Sequence, residues 1–295
     1  VRIAVTGATG RVGYWIAQGL LENGHDVVAV GRQPAAIAGV GHLAQDLDGP
    51  PPDLSGFDAL VHAAFSHVPG KYRGGEGDDP DGFRHRNLDG TLRLFDAAQN
   101  LDRIVFLSSR AVYGAYPAGT ELGEDLPPLP DTLYGMVKHE AEIALSQMSG
   151  PATISLRATG VYGAAPPGQQ HKWQGLFNEF SSGQTIAPHI ATEVHATDLA
   201  NAVQLVLTAS REKCGAGVFN VSDFALDRRD LLQTYAAVTG ASGELPPCGD
   251  ASLVSGMTTE RLRTLGWCPG GQGTFPARLS KMISAQHQLG QNSPR

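Results

Sequence analysis

The sequence predicts an α/β protein: a doubly wound parallel sheet with a smaller C-terminal lobe interleaved with it. Three observations carry that prediction. Short apolar runs alternate with amphipathic helical stretches through the first half of the chain. The runs are continuously apolar rather than alternating in polarity, as strands covered on both faces are. A glycine-rich turn, "TGATGRVG" (6–13), joins the first run to the first helical stretch.

In chain order, "RIAVTG" (2–7) reads as the first strand and "VGYWIAQGLLENG" (12–24) as a helix that stops at Asn23-Gly24. Strands follow at "HDVVAVG" (25–31), "VGHLAQD" (40–46) and "FDALVHAAF" (57–65). Helix 82–100, strand 102–109, helix 132–148 and strand 152–158 continue the alternation, which implies right-handed crossovers. After about residue 160 the pattern changes. Residues 163–170 read as a loop, 172–183 and 196–210 as helices, 217–223 as a further strand, and the regions near 227–239 and 274–287 as helices. "PGKYRGGEGDDPDG" (69–82) reads as a mobile surface loop, or as a lid beside a ligand. The polar tail 288–295 is expected to fray.

The composition is that of an ordinary globular protein, with 41% hydrophobic and 17% charged residues among 295. There are 22 basic residues against 29 acidic, a net charge of −7, and no basic stripe. Nucleic acid and membrane are therefore excluded as expected partners. No apolar run approaches the roughly 18 residues that span a bilayer, and "VRIAVTG" shows no secretory signal. Cys214, Cys248 and Cys268 are too few and too scattered for a disulfide framework or a zinc site, so a reducing cytoplasm is expected. His62, His67 and His85 lack partners at ligand spacing; they read as structural or surface residues, and no metal is expected.

Gly7, Gly10 and Gly13 are spaced G-x-x-G-x-x-G between a strand and a helix. Small residues there allow a tight turn, close backbone approach to a pyrophosphate and close packing of helix on strand. The free N–H groups of the helix start then meet the phosphates. A dinucleotide is the expected ligand, bound by residues 1–160 with segments around 190–225 returning to that domain. Residues 161–295 mainly supply a substrate-binding lobe. In "YGMVK" the phenol of Tyr134 and the ammonium of Lys138 lie four residues apart, on one helix face. A neighbouring cation would lower the tyrosine pKa from ~10 and make it a usable acid/base; a snorkelling surface pair is the alternative. Ser108 and Ser109 end a strand, at the carboxyl edge where such sheets bind ligands.

The ordered set "TGATGRVG", "HAA" (62–64), "SSRAVYG" (108–114), "YGMVK", "LRATGVYG" (156–163) and "VHATDLA" (194–200) resembles the extended short-chain dehydrogenase/reductase family, whose best-known branch is the sugar epimerase/dehydratase group. The resemblance spans residues 1 to about 210, with "LRTLGWCP" (262–269) extending it. It implies a Rossmann domain, a nicotinamide cofactor, and a dimer through the helices at 82–100 and 132–148. It also implies catalysis by Ser109 (Ser108 being the lesser candidate), by Tyr134 as acid/base, and by Lys138, which would hold the nicotinamide ribose. Cofactor contacts are expected from Gly7, Thr9, Gly10, Arg11, Val12 and Gly13, from Asp46 and Leu47 beside the adenine, from Ala63 and Ala64, and from the loop reaching Val161. Ser66, Ser108, Arg110, Tyr162, His171 and Trp173 are the candidates for contact with a small-molecule substrate, although Trp173, Phe177 and Phe180 recur at helical spacing and also suit packing. Asp198 is expected to cap or anchor the helix that follows His195.

Two departures from the family pattern bear on substrate. Many nucleotide-sugar members place an Arg four residues before the His of "VHxxDLA", where this chain has Ala191. A diphosphate would lack its cation there unless Lys172 or another base substitutes. That favours a free sugar, a sugar acid or another hydroxy/keto compound. The acidic pair of the dehydratases is replaced by Arg110 and Ala111, which argues against dehydration. Reduction, oxidation and epimerisation share the Ser/Tyr/Lys set and stay open. A nucleotide-sugar epimerase with atypical diphosphate contacts and a non-catalytic NADP sensor are the rivals. Finally, the second strand ends at Gly31-Arg32, where an Asp would bind the adenosine ribose. Gly31 removes repulsion of a 2′-phosphate, and Arg32, with Arg11 opposite, offers a guanidinium for it. NADP(H) is therefore expected over NAD(H), against the alternative of a surface arginine in a turn before Pro34.

Overall fold

The computed structural model describes residues 1–68, 74–214 and 217–291, with side chains through 285. Residues 69–73 of the expected lid loop and 292–295 of the tail lie outside the described residues. In chain order the elements are β1 (Arg2–Thr6), α1 (Arg11–Glu22), β2 (Asp26–Gly31), β3 (Gly41–Ala44) and β4 (Ala59–His62). A helical run follows, made of α2 (Pro80–Arg84), a π turn (His85–Asp89) and α3 (Gly90–Ala97). Next come β5 (Arg103–Ser109), α4 (Leu133–Ser146), β6 (Ala152–Ala158), β7 (Gly160–Tyr162), α5 (Gln174–Ser181), β8 (Ile190–His195), α6 (Ala196–Thr208) and α7 (Arg211–Cys214). The chain closes with β9 (Val218–Val221), β10 (Phe224–Asp227), α8 (Arg228–Thr239), α9 (Glu260–Thr264) and α10 (Gly271–Gln291).

Among the described residues the main sheet has seven parallel strands in the order β3-β2-β1-β4-β5-β6-β9. This is the expected doubly wound Rossmann sheet. Alternate residues of β1 enter opposite cores: Ile3 and Val5 pack with Ile16, Leu20, Val203 and Val206 of α1 and α6, whereas Ala4 packs with Phe83, Leu94 and Val137 on the other side. Each fully buried aliphatic side chain contributes roughly 1.5–3 kcal/mol, so both helical layers are held by the same continuously apolar strands. The order of strands reverses between β1 and β4, which opens a crevice at their carboxyl ends.

The sheet corrects the sequence reading in particular places. β3 is an edge strand and largely exposed, so burial on both faces fails there. Three strands were not foreseen: β7, β8 and β10 form a second sheet in the order β10-β8-β7. β7 has three residues and β8, "IATEVH", mixes polarities, so neither presents an apolar run. The single helix expected over 82–100 carries a π turn, inside which Asn87 Nδ2 donates to Phe83 O at 3.0 Å. The tail expected to fray from 288 continues as helix to Gln291.

The second sheet packs with α5, α8 and α10 around a separate aromatic core of Tyr162, Trp173, Phe177 and Phe275. Asp198 anchors this lobe, because its buried carboxylate accepts from Arg278 Nη2 at 3.0 Å and from the Gly270 N–H at 3.1 Å. The cap of α6 is instead His195, whose Nδ1 accepts from the Thr197 N–H at 3.3 Å. Asp198 is thus the anchor, and the capping role falls to its neighbour.

Candidate active site

The glycine loop is built by steric exclusion. Gly7 has φ +73°, and a Cβ on it would lie 2.7 Å from Ala64 N. A Cβ on Gly13 would stand 2.2 Å from Gly7 O, so α1 can approach β1 only with glycine there. Gly10 occupies the N-cap of α1 and no side chain caps the helix. The first N–H groups of α1, at Arg11 and Val12, are thereby left for an anion. Thr9 and Gly10 are exposed, and Thr9 O accepts from Gln169 Nε2 at 2.6 Å. Trp15 Nε1 donates to Ala164 O at 2.8 Å, so the loop after β7 is tied along this cradle at two points.

His62 belongs to a directional hydrogen-bond chain at the foot of the crevice. The N–H groups of Ala63 and Ala64 both donate to Thr6 Oγ1 at 3.1 Å. The Thr6 hydroxyl proton is then left for His62 Nδ1, 2.7 Å away. On the far side Thr91 Oγ1 donates to Asn87 O at 2.6 Å, so it accepts from His62 Nε2 at 2.8 Å. The chain fixes the Nε2–H tautomer. Asn87 in turn clasps Ser66, accepting from its N–H and donating to its O, both at 2.7 Å. His62 is therefore a structural histidine, and among the described residues no group of His, Cys, Asp and Glu could hold a metal.

Ser109 ends β5 and Tyr134 and Lys138 lie on α4, whose N-cap Thr132 accepts from the Gly135 N–H at 3.0 Å. A Cβ on Gly135 would fall 2.5 Å from Ala111 O, so glycine there lets α4 press against the end of β5. The Ser109 hydroxyl lies near the Tyr134 phenol, close enough to act on its titration, and its oxygen accepts from the Ala111 N–H at 3.1 Å. Burial pushes the Tyr134 pKa above its ordinary value, and the Ser109 hydroxyl offsets only part of this. The expected lowering by Lys138 is corrected here. Lys138 Nζ donates to Leu107 O at 2.6 Å and lies against the rings of Phe65 and Phe106, and it is not among the groups that shift the phenol. Burial brings the Lys138 pKa down to about 7, with Glu142 opposing.

Behind this site lies a buried polar row that sequence reasoning missed. Ser108, Arg157 and Asn220 are aligned across β5, β6 and β9. Arg157 binds the Glu142 carboxylate through Nε at 3.0 Å and Nη2 at 2.7 Å, and Nη1 donates to the Tyr113 hydroxyl at 3.1 Å. Tyr113 passes the chain on to Asn220 Oδ1 at 2.8 Å. The Ser108 hydroxyl is buried beside Glu142 without a well-formed hydrogen bond. An arginine inside the apolar strand "ATISLRA" was the available signal, because a buried cation needs a carboxylate partner.

The remaining candidates separate into those at the crevice and those away from it. Ala63, Ala64 and Ser66 follow β4 beside the glycine loop, and Val161 lies in β7, half-buried. Asp46 is exposed after β3, and Leu47 O accepts from Arg93 Nη2 at 2.6 Å, which pins that turn to α3. Arg110 Nη2 donates to Ser255 O at 3.1 Å, a link to the C-terminal segment. The candidate substrate contacts Tyr162, Trp173 and His171 are buried in the ligand-free structure. Tyr162 stacks on Trp173 inside the lobe core with ring centroids 5.2 Å apart, and His171 is buried, its Nδ1 accepting from the Trp173 N–H at 3.2 Å. Lys172 is engaged too, its Nζ 2.7 Å from Oε1 of the buried Glu193. At the outer end of β2, a Cβ on Gly31 would meet nothing within 4 Å, and Arg32 is exposed beside it.

The model of the NAD dependent epimerase/dehydratase family matches residues 3–222. The chain is similar to UDP-glucose 4-epimerase of Corynebacterium glutamicum, with 26% identity over 307 aligned residues and 91% of each chain covered. It is also similar to dTDP-6-deoxy-L-talose 4-dehydrogenase (NAD(P)(+)) of Kitasatospora kifunensis, 28% identical over 302 residues, again with 91% of each covered. Its backbone resembles UDP-glucuronic acid 4-epimerase from Bacillus cereus in complex with UDP-glucuronic acid and NAD. The TM-score is 0.77 at 18% identity, over 97% of this chain and 100% of that one, a likeness of fold. Among the described residues no helix is long and apolar enough to cross a membrane.

Proposed function

Because the chain belongs to the NAD dependent epimerase/dehydratase family, and so to the oxidoreductase-type enzymes, we propose that it moves hydride to or from a hydroxyl- or carbonyl-bearing carbon of a small sugar-like substrate. The observation that carries this reading is the nearness of the Ser109 hydroxyl, at the carboxyl end of β5, to the buried Tyr134 phenol, with Lys138 one turn further along α4. The glycine cradle and the uncapped start of α1 suit a dinucleotide, since a Cβ would fill the space at Gly7 and Gly13. When bound, the nicotinamide supplies the hydride acceptor or donor. Ser109 would then donate to the substrate oxygen, Tyr134 would give or take the proton at its phenol oxygen, and Lys138 would hold the nicotinamide ribose. A homodimer across α4, whose exposed face carries Met136 and Ile143, belongs to the same proposal; a sedimentation mass of one chain would remove it.

Two features favour a small substrate over a nucleotide-linked one. Ala191 offers no cation in β8, and Lys172 is already neutralised by Glu193. A specific observation favours the rival: the two curated relatives that match nine-tenths of the chain carry UDP- and dTDP-sugar names. The deciding experiment is turnover with either nicotinamide across free sugars, sugar acids and aldehydes beside UDP- and dTDP-hexoses. Turnover confined to the nucleotide sugars would defeat the small-substrate reading. Turnover of nothing, with cofactor still bound, would leave a sensor.

The open space at Gly31 and the exposed Arg32 support NADP(H) as the preferred cofactor. One charge-assisted contact to a 2′-phosphate is worth roughly ten- to a hundredfold in affinity. Arg32→Ala should therefore weaken NADPH by about that factor and leave NADH unchanged in a binding titration. Equal affinities for the two cofactors in the unaltered protein would sink the preference.

A further inference from the structure

The Lys138 ammonium is enclosed by one carbonyl and two aromatic rings. Nζ donates to Leu107 O at 2.6 Å and lies 4.5 Å from the Phe65 ring centroid and 4.6 Å from that of Phe106. The two rings are held differently. Phe106 is fixed by the core, stacked on His62 with centroids 5.7 Å apart and edge-on to Phe95 at 5.7 Å. Phe65 stands on the loop after β4, half-buried, and its ring meets Tyr134 edge-on at 4.9 Å and Phe83 at 5.5 Å. The backbone that delivers Phe65 is rigid, because the preceding Ala63 and Ala64 N–H groups are both committed to Thr6. One side chain therefore touches both members of the Tyr/Lys pair.

We infer that Phe65 is a positioning residue whose ring face holds the Lys138 cation in a water-poor site while its ring packs against Tyr134. The inference rests on the acid/base reading of Tyr134 and Lys138, although the cage itself exists without any ligand. The physical need for it is clear from the surroundings. An ammonium with three N–H groups and one carbonyl acceptor must face something other than water with the rest, and an aromatic face is attractive to a cation. Other charge compensation is thin. Glu142, one turn along α4, attracts Lys138 but is shared with Arg157 from β6. His62 from β4 and His67 from the loop after it also bear on Lys138, and burial favours their neutral forms.

The test is the titration of Lys138 in the ligand-free protein, followed through its labelled ¹³Cε resonance and assigned by its loss in Lys138→Arg. Phe65→Leu keeps an apolar wall and removes the π face. Its Lys138 should titrate roughly 0.5–1 pH unit below the unaltered protein, the size of one desolvated cation–π contact. Phe65→Tyr, which restores a ring, should bring the midpoint back. If Phe65→Leu does not fold, Phe65→Met serves in its place. A Leu or Met variant titrating at or above the unaltered midpoint, or a folded Tyr variant that fails to restore it, overturns the inference. Turnover surviving in Lys138→Met would overturn the acid/base reading instead and would leave this titration result standing.

Discussion

Tyr134→Phe should lower kcat/KM by about 10²- to 10⁴-fold on whichever substrate the unaltered protein turns over, the range general acid–base groups contribute. The substitution removes one oxygen, the one that lies near the Ser109 hydroxyl. The ring keeps its edge-on contact with Phe65, and α4 keeps its Thr132 cap, so fold and cofactor affinity should survive. A loss of turnover accompanied by a loss of cofactor binding would point to a structural role. Residual activity within threefold of the unaltered protein would remove Tyr134 from the chemistry. Ser109→Ala should fall less far, because it deletes a donor to the substrate oxygen and leaves the proton carrier in place.

Burial raises the Tyr134 pKa in the ligand-free site, so the phenol keeps its proton there. Sequence pattern alone suggested the opposite, since Tyr and Lys at i and i+4 share a helix face. The spacing was read correctly. What it could not convey is that Leu107 O competes for the Lys138 ammonium, because strand-end carbonyls leave no trace in side-chain identity.

The same division runs through the molecule. The central strands were legible because Ile3, Val5, Val27 and Val105 are buried in a sheet covered on both sides, and apolar content suffices to mark them. The second sheet was not, because Gly160–Tyr162 and Ile190–His195 owe their pairing to each other and to β10, not to their own pattern. The glycine loop was legible because Gly7 and Gly13 answer steric demands that no other residue meets. Tyr162 and Trp173 show how far such a pattern reaches, and for Trp173 the helical spacing already suited packing. Aromatic residues near a site look alike in sequence whether they face a ligand or one another, and here they stack inside the lobe. Phe65 escaped notice for the converse reason, being one more apolar residue after an apolar strand.

Acid should destabilise the protein well before its carboxylates are protonated. Burial brings the pKa of His62 down to about 3 and those of His171 and His195 to about 4, against 6.5 for the free side chain. Each is therefore neutral when folded and takes up a proton more readily when unfolded. Their contribution is fully present above about pH 6.5 and is lost as pH falls toward 4 and then 3, at up to ~1.4 kcal/mol per pH unit for each histidine. Glu193 opposes them, because its raised pKa lets the folded state bind a proton first. His62 has a geometric reason to resist protonation as well. Its Nδ1 must accept from Thr6, and a proton there would face the Thr6 hydroxyl proton, whose oxygen already serves the Ala63 and Ala64 N–H groups. Protonation would therefore break the chain that holds the turn after β4 against the glycine loop. His62→Gln supplies an acceptor and a donor without titrating. Urea unfolding measured from pH 7 to 4.5 should show a shallower dependence in that variant by roughly 1 kcal/mol per pH unit, whatever its stability at pH 7. Parallel curves for the two proteins would mean that His62 is not the group that senses acid.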